Sequence, residues 1–260
     1  MYDFHLHTRH SFDAEYSPAE MLAAAEKAGL REICFTDHVD FDGSGEAPAD
    51  LSALRRDILA LQESASPVAV RFGAEVSLGD ESCTPRALAH LAGQPLDFVI
   101  GSVHLLDGVD PYYQKDLYTS APKETVYRRY LECVCRLLRS GVDFCVLGHY
   151  DYIAKFAPYS DRSFPLSAAP EQFDQIFDFL VQQGKALEVN TASWRDSPAW
   201  GLDVLRRYRE RGGEFVTIGS DAHAPERVGG RVGEAIELVR AAGIRYLATY
   251  EQKKAVLTAI

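Results

Sequence analysis

The 260-residue sequence predicts a parallel α/β fold whose functional groups gather at the carboxyl ends of its strands. Three observations carry this expectation. Short apolar runs alternate with segments of helical periodicity about seven times, the pattern of a parallel sheet with crossover helices. No linker or low-complexity stretch divides the chain, so residues 1–260 are expected to form a single domain, at a length that α/β barrels routinely reach. Six of the eight histidines fall at the carboxyl end of an apolar run or just beyond it.

The runs are, in order, YDFHL from Tyr2, EICFT from Glu32, VAVRFGAEV from Val68, LDFVIGSV from Leu96, DFCVLGH from Asp143, KALEVN from Lys185 and FVTIGS from Phe215. Helical periodicity appears between them, over Pro18–Ala28, Lys123–Arg139, Pro170–Gln182, Pro198–Arg211 and Glu226–Ala242. Several of these segments open on Pro after Ser or Ala, which suits a first helical turn. Gly29, Gly141, Gly184 and Gly243 supply the residue that closes a helix. In KETVYRRYLECVCRLLR the charges read as a solvated helix face. The longest irregular pieces, Asp40–Asp50 and Asp107–Pro122, are long enough to be functional loops.

Composition excludes several classes. Hydrophobic content of 47% with 25% charged residues is that of an ordinary globular enzyme. No apolar run approaches the roughly 20 residues of a membrane-spanning helix. The polar cluster begins two residues after Met1, which leaves no room for a signal peptide and predicts a cytoplasmic protein. A net charge of -11 argues against sequence-independent nucleic-acid binding. The five cysteines (Cys34, Cys83, Cys133, Cys135, Cys145) form no CxxC pair and read as reduced thiols, mostly in the core.

The histidines carry the functional signal. Asp3, His5 and His7 alternate with apolar residues, so on a strand all three face one side. His38, His104, His149 and His223 also sit at or beyond strand ends, as do Glu75 and Asp221, and Asp37 and Asp151 lie beside histidines. A parallel sheet brings these ends to one face, where HxH can grip one ion and the remaining groups can hold others. A His/Asp/Glu set without cysteine favours Zn, Mn or Fe. His10 reads as a plain loop histidine, His90 as a helix-surface residue, and VGGRVG (228–233) as a helix lead-in rather than a phosphate loop.

In order, D-x-H-x-H, T-D-H (36–38), G-x-E (73–75), S-V-H (102–104), G-H-x-D (148–151) and S-D-A-H (220–223) resemble the polymerase and histidinol phosphatase (PHP) superfamily over essentially the whole chain. EICFTDHVDF and VIGSVH are similar to its stand-alone L-histidinol phosphate phosphatases. The resemblance implies a distorted (β/α)7 TIM-like barrel and two to three divalent transition metal ions, Zn, Mn or Fe. It places one ion on His5, His7, Glu75 and Asp221, a second on Glu75, His104 and His149, and a third on Asp13, His38 and His223. Many members have histidine where this chain has Asp13, and a carboxylate there tilts that site from Zn toward Mn or Fe. Asp3, Asp37 and Asp151 suit roles behind the ligands, fixing imidazole tautomers.

The implied activity is hydrolysis of L-histidinol phosphate to L-histidinol and inorganic phosphate by a metal-bridging hydroxide, with Glu75 as bridge and Asp221 orienting the nucleophile. Arg195, in NTASWR, and Arg162, in PYSDR, are the expected phosphate-binding arginines, since a guanidinium fork matches phosphate oxygens. Asp40, Asp42, Asp107 and Asp110 are available for the amine and imidazole. The alternative is another PHP phosphoesterase acting on nucleotides or other small phosphate esters. The acidic charge and the lack of an attached polymerase oppose a nuclease. An amidohydrolase would usually place a carboxylated lysine where this chain has His104, and a complete ligand set opposes a non-catalytic metal module.

Overall fold

All seven apolar runs form strands in the computed structural model, which describes residues 1–41, 46–194 and 197–260. The first half of the chain runs β1 (Tyr2–Leu6), α1 (Pro18–Lys27), β2 (Glu32–Phe35), β3 (His38–Val39), α2 (Leu51–Gln62), β4 (Ala69–Ser77), α3 (Thr84–Leu91), β5 (Phe98–Ser102) and α4 (Lys123–Leu137). The second half runs β6 (Val146–Leu147), α5 (Tyr152–Lys155), α6 (Pro170–Gln182), β7 (Ala186–Asn190), α7 (Leu202–Glu210), β8 (Phe215–Gly219), α8 (Val232–Ala241), β9 (Tyr246–Glu251) and β10 (Lys254–Ala259). The sheet order is β1-β2-β4-β5-β6-β7-β8-β9-β10, with β3 paired to β4. Every pairing is parallel except that of β9 with β10.

Local chemistry explains the helices that begin where their sequence signals stand. Ser17 and Glu20 form a capping box ahead of α1, whose Pro18, Met21, Leu22 and Ala25 are buried at helical spacing. α6 opens on Pro170 and buries Phe173, Ile176, Phe177 and Leu180 in the same way. α7 begins at Leu202, later than the periodicity from Pro198 suggests. The preceding coil instead buries Trp200 among the rings of Tyr127, Phe164 and Phe173. α8 begins at Val232, also later than expected. Gly229 and Arg231 there adopt left-handed backbone, and the Gly229 amide donates to Asp3 Oδ2 at 2.8 Å. VGGRVG is thus a lead-in to α8 that also ties the chain back to β1.

β9 and β10 were not among the expected strands. They form a two-residue hairpin whose central residues, Gln252 and Lys253, both have positive φ, and Gln-Lys lacks the Asn-Gly signature of such turns. The hairpin covers the amino ends of other strands. Tyr2 Oη lies 3.3 Å from Thr258 Oγ1, the Gln252 amide donates to Asp97 Oδ1 at 3.0 Å, and Tyr250 Oη donates to the Cys145 carbonyl at 3.4 Å. β9 pairs with β8 only at Phe215 and Val216. Beyond the carboxyl end of β8, Ala222 bridges Leu6 in parallel, and the His7 amide donates to the Ala222 carbonyl at 2.9 Å. β1 and β8 therefore meet on the side where the histidines lie. All five cysteines are free. No helix among the described residues is long and apolar enough to cross a membrane.

Candidate metal centre

Parallel register sets the centre of the site. β4 places Glu75 opposite His38 of β3 on one side and Ile100 of β5 on the other. Glu75 is fully buried. Its Oε1 accepts from Ser102 Oγ at 2.6 Å and lies 2.7 Å from His149 Nε2 and 3.3 Å from His104 Nε2. Its Oε2 lies 3.2 Å from His5 Nε2, 3.5 Å from His7 Nε2 and 3.1 Å from His38 Nδ1. Asp221 Oδ1 is 3.4 Å from His7 Nε2, and Asp13 Oδ2 is 2.9 Å from His223 Nε2 and 3.5 Å from His38 Nε2. His5, His7, Asp13, His38, Glu75, His104, His149, Asp221 and His223 thus form one continuous cluster. Its closest sets are His7, Asp13, His38 and His223; His5, His7 and Glu75; His5, His149 and Asp221; and His38, Glu75 and His104.

These donors fit divalent ions. His5 and His7 turn Nε2 toward each other at 3.1 Å, as do His104 and His149 at 3.4 Å, although imidazole lone pairs repel without a proton or cation between them. Glu75 Oε2 and His38 Nδ1 are buried with no hydrogen-bond partner. Polar atoms with nothing to bind them are rare in a folded interior, and here they converge.

Other residues hold the cluster in shape. Glu188, in the middle of β7, lies 2.6 Å from His5 Nδ1 through Oε1 and accepts from the His149 amide at 2.7 Å through Oε2. Ser77 Oγ lies 2.8 Å from His104 Nδ1 and Ser11 Oγ 3.2 Å from His7 Nδ1, and both leave Nε2 for the cluster. The sequence reading missed all three. Glu188 is the one carboxylate in β7, but its place in the strand does not by itself say that it faces the histidines. Gly219 gives way to this packing, because a Cβ on it would sit 2.3 Å from His5 Cβ and 2.4 Å from Glu188 Oε1. Asp221 adopts a left-handed φ of 52°, a conformation uncommon outside glycine and concentrated at functional sites.

Asp3, Asp37 and Asp151 act differently from expectation. None hydrogen-bonds an imidazole nitrogen among the described residues. Asp3 accepts from the Ser220 amide and hydroxyl, Asp37 from Thr8 and Ser11, and Asp151 from Ser193 Oγ. They fix the loops that carry the cluster residues, and burial raises all three carboxyls above their ordinary range despite these donors. Burial also opposes charge on Glu75 and Asp221. It is outweighed by the imidazoles around Glu75 and by Lys155 and His5 beside Asp221, so both stay well below their ordinary range. Burial, with His223 and His38 nearby, brings His7 down to about 3, the neutral form that ligates metals.

Above the cluster opens a cleft of about 350 Å³, lined on one side by Asp13, His38, Glu75, His104, His149, Asp221 and His223. That volume lies within the roughly 300–1,000 Å³ of small-molecule sites. Asp40, Glu46, Asp110, Lys155 and the rings of Phe12, Tyr112, Tyr113, Tyr152 and Phe156 line the rest with Leu105. Lys155, on α5, was not foreseen; its Nζ is 2.6 Å from Asp221 Oδ2, whose other partner is Asn190 Nδ2 at 3.2 Å.

Arg162 does not line this cleft. It is 7% exposed, and its Nη1 donates to the carbonyls of Ala154 and Ser193 at 3.0 and 2.9 Å. Arg195 and Asp42 lie outside the described residues. Asp107 pairs with Arg129, away from the cleft lining. His10 pairs with Asp57 at 3.0 Å in its loop, and His90 Nε2 lies 2.9 Å from the Ala49 carbonyl.

A parallel α/β fold with a buried His/Asp/Glu cluster at its strand ends, able to hold metal, points to a class of metal-dependent hydrolases. The PHP domain model matches residues 3–192, and the chain belongs to the PHP family. It is 31% identical over 256 residues to the histidinol-phosphatase of Lactococcus lactis subsp. lactis, covering 97% of this chain and 95% of that one. It is 34% identical over 271 residues to a Deinococcus radiodurans protein named "Probable histidinol-phosphatase", covering 97% of each. Among solved structures it matches the L. lactis histidinol phosphate phosphatase complexed with Zn, L-histidinol and phosphate. That match has a TM-score of 0.88 and 30% identity, and covers 98% of both chains.

Proposed function

We propose that this chain is a metal-dependent phosphomonoesterase that hydrolyses L-histidinol phosphate to L-histidinol and inorganic phosphate, a step of histidine biosynthesis. The observation that carries the reading is the convergence of buried, unpartnered ligand atoms on Glu75 in a chain aligned end to end with a structure that holds Zn, L-histidinol and phosphate. The fold is read as one (β/α)7-type barrel domain closed where Ala222 meets Leu6, with β9 and β10 as its lower cap.

Two to three Zn, Mn or Fe ions would be held by the nine cluster residues, with Glu75 at their centre. Such ions supply the Lewis acidity that makes water nucleophilic near neutral pH and offsets phosphate charge. The chain's own residues do the rest. Asp221 presents Oδ1 to the cluster while Lys155 and Asn190 hold Oδ2, so it is fixed to orient the attacking water. Lys155 places a cation where phosphate oxygens arrive, and Arg195 is assigned to the same phosphate from the β7 loop. The substrate is a small phosphate ester, and neither nucleic acid nor a membrane is required.

Steady-state hydrolysis across a panel tests this. L-Histidinol phosphate is expected to exceed nucleotides and sugar phosphates in kcat/KM by at least about tenfold, a difference of ~1.4 kcal/mol in transition-state binding. A nucleotide that outperforms it would overturn the substrate assignment.

A further inference from the structure

Asp40 is a cleft carboxylate with work left undone. It is 6% exposed and lines the cleft, yet its Oδ1 is buried with no hydrogen-bond partner. Its Oδ2 lies 3.5 Å from both His38 Nδ1 and His104 Nδ1, and these imidazoles hold the carboxyl below its ordinary range against its burial, so the free capacity is on Oδ1. His104 Nδ1 is in any case matched by Ser77 at 2.8 Å. Glu75 and Asp221, which also line the cleft, belong to the histidine cluster, and two further cleft carboxylates have donors of their own. Asp110 Oδ1 accepts from the Tyr112 amide at 2.7 Å and Tyr152 Oη at 3.2 Å, and Asp13 is matched to His223 and His38.

The backbone around Asp40 is pinned from outside. The Phe41 ring is held between the Arg86 guanidinium, 4.7 Å from its centroid, and the edge of His90 at 5.7 Å. The His38 carbonyl accepts from the Ala49 amide at 2.8 Å. A carboxylate fixed in place, shielded from bulk water and short of a donor is suited to a cationic ligand group, because the ligand supplies the missing donor.

We propose that Asp40 anchors the ammonium group of the substrate, with the phosphate directed toward the histidine cluster and Lys155. This rests on the histidinol phosphate reading and names its specificity residue. The test compares wild type and Asp40→Asn on L-histidinol phosphate and on its deamino analogue, the same imidazolylpropyl phosphate without the amine, with metal content measured on both proteins. Asp40→Asn is expected to lower kcat/KM for histidinol phosphate about ten- to hundredfold, mainly through KM. It is expected to change the analogue less than about threefold, since a group that receives only the ammonium adds no binding without it. Metal equivalents are expected to be unchanged. Equal losses on both substrates would make Asp40 a positioning residue, and a fall in metal content would make it a ligand; either overturns the proposal. If wild type fails on histidinol phosphate while hydrolysing other phosphate esters, it is the functional reading that falls.

Discussion

The two ends of the sheet are built from opposite materials. At the carboxyl end, buried histidines and carboxylates crowd together, Asp221 holds a left-handed backbone, and Glu75 Oε2 has no hydrogen bond. At the amino end, Phe98 lies fully buried with Phe4 edge-on at 5.4 Å and Tyr250 at 4.9 Å, and β9 and β10 tie several strands together. Burying charge and strain is costly, so it persists only where the surrounding structure over-determines it. One end supplies the cohesion, and the other uses it to hold groups that would otherwise move apart or take up protons.

Substitution at either end separates the two roles, and the largest effect is expected at the amino end. Phe98→Ala should lower unfolding stability by about 3–5 kcal/mol through lost burial and cavity formation. Below the melting transition, its metal content and KM should match wild type. Denaturant titration and elemental analysis check both, and a loss of metal from folded protein would show that the two ends are not separable. A smaller effect is expected from Glu188→Gln, which keeps the shape behind His5 and removes the charge. It should weaken metal affinity about 10–100-fold, read by chelator competition, while stability changes little. In the same assay His10→Gln, whose partner is Asp57, should leave affinity within about twofold of wild type, since this part-buried pair lies outside the cluster.

How far each end was legible in the sequence follows the same division. Strand-end histidines could be gathered on paper because parallel topology brings every carboxyl end to one face, so Glu75 and His104 meet although 29 residues separate them. The amino-end cap could not, because a Gln-Lys turn carries no glycine and the alternation of β10 faces solvent. Arg162 and Lys155 show the limit for loops. Both follow the GHYD motif closely, and only the path of the chain decides that one guanidinium binds carbonyls while the ammonium faces the cleft. Glu188 was hidden differently, since a carboxylate inside a strand gives no hint of which face it takes until its neighbours are known.

The cluster around Glu75 is proposed to be a catalytic metal centre. Elemental analysis of purified wild type and Glu75→Gln, alongside turnover of L-histidinol phosphate, tests it most directly. Two to three equivalents of Zn, Mn or Fe per chain are expected in wild type. In the variant, metal content should fall and turnover should drop by at least about 10²–10³-fold, as expected when the charge that organises a catalytic centre is removed. Wild-type protein that contains no transition metal and gains no activity from added Mn or Zn would contradict the account.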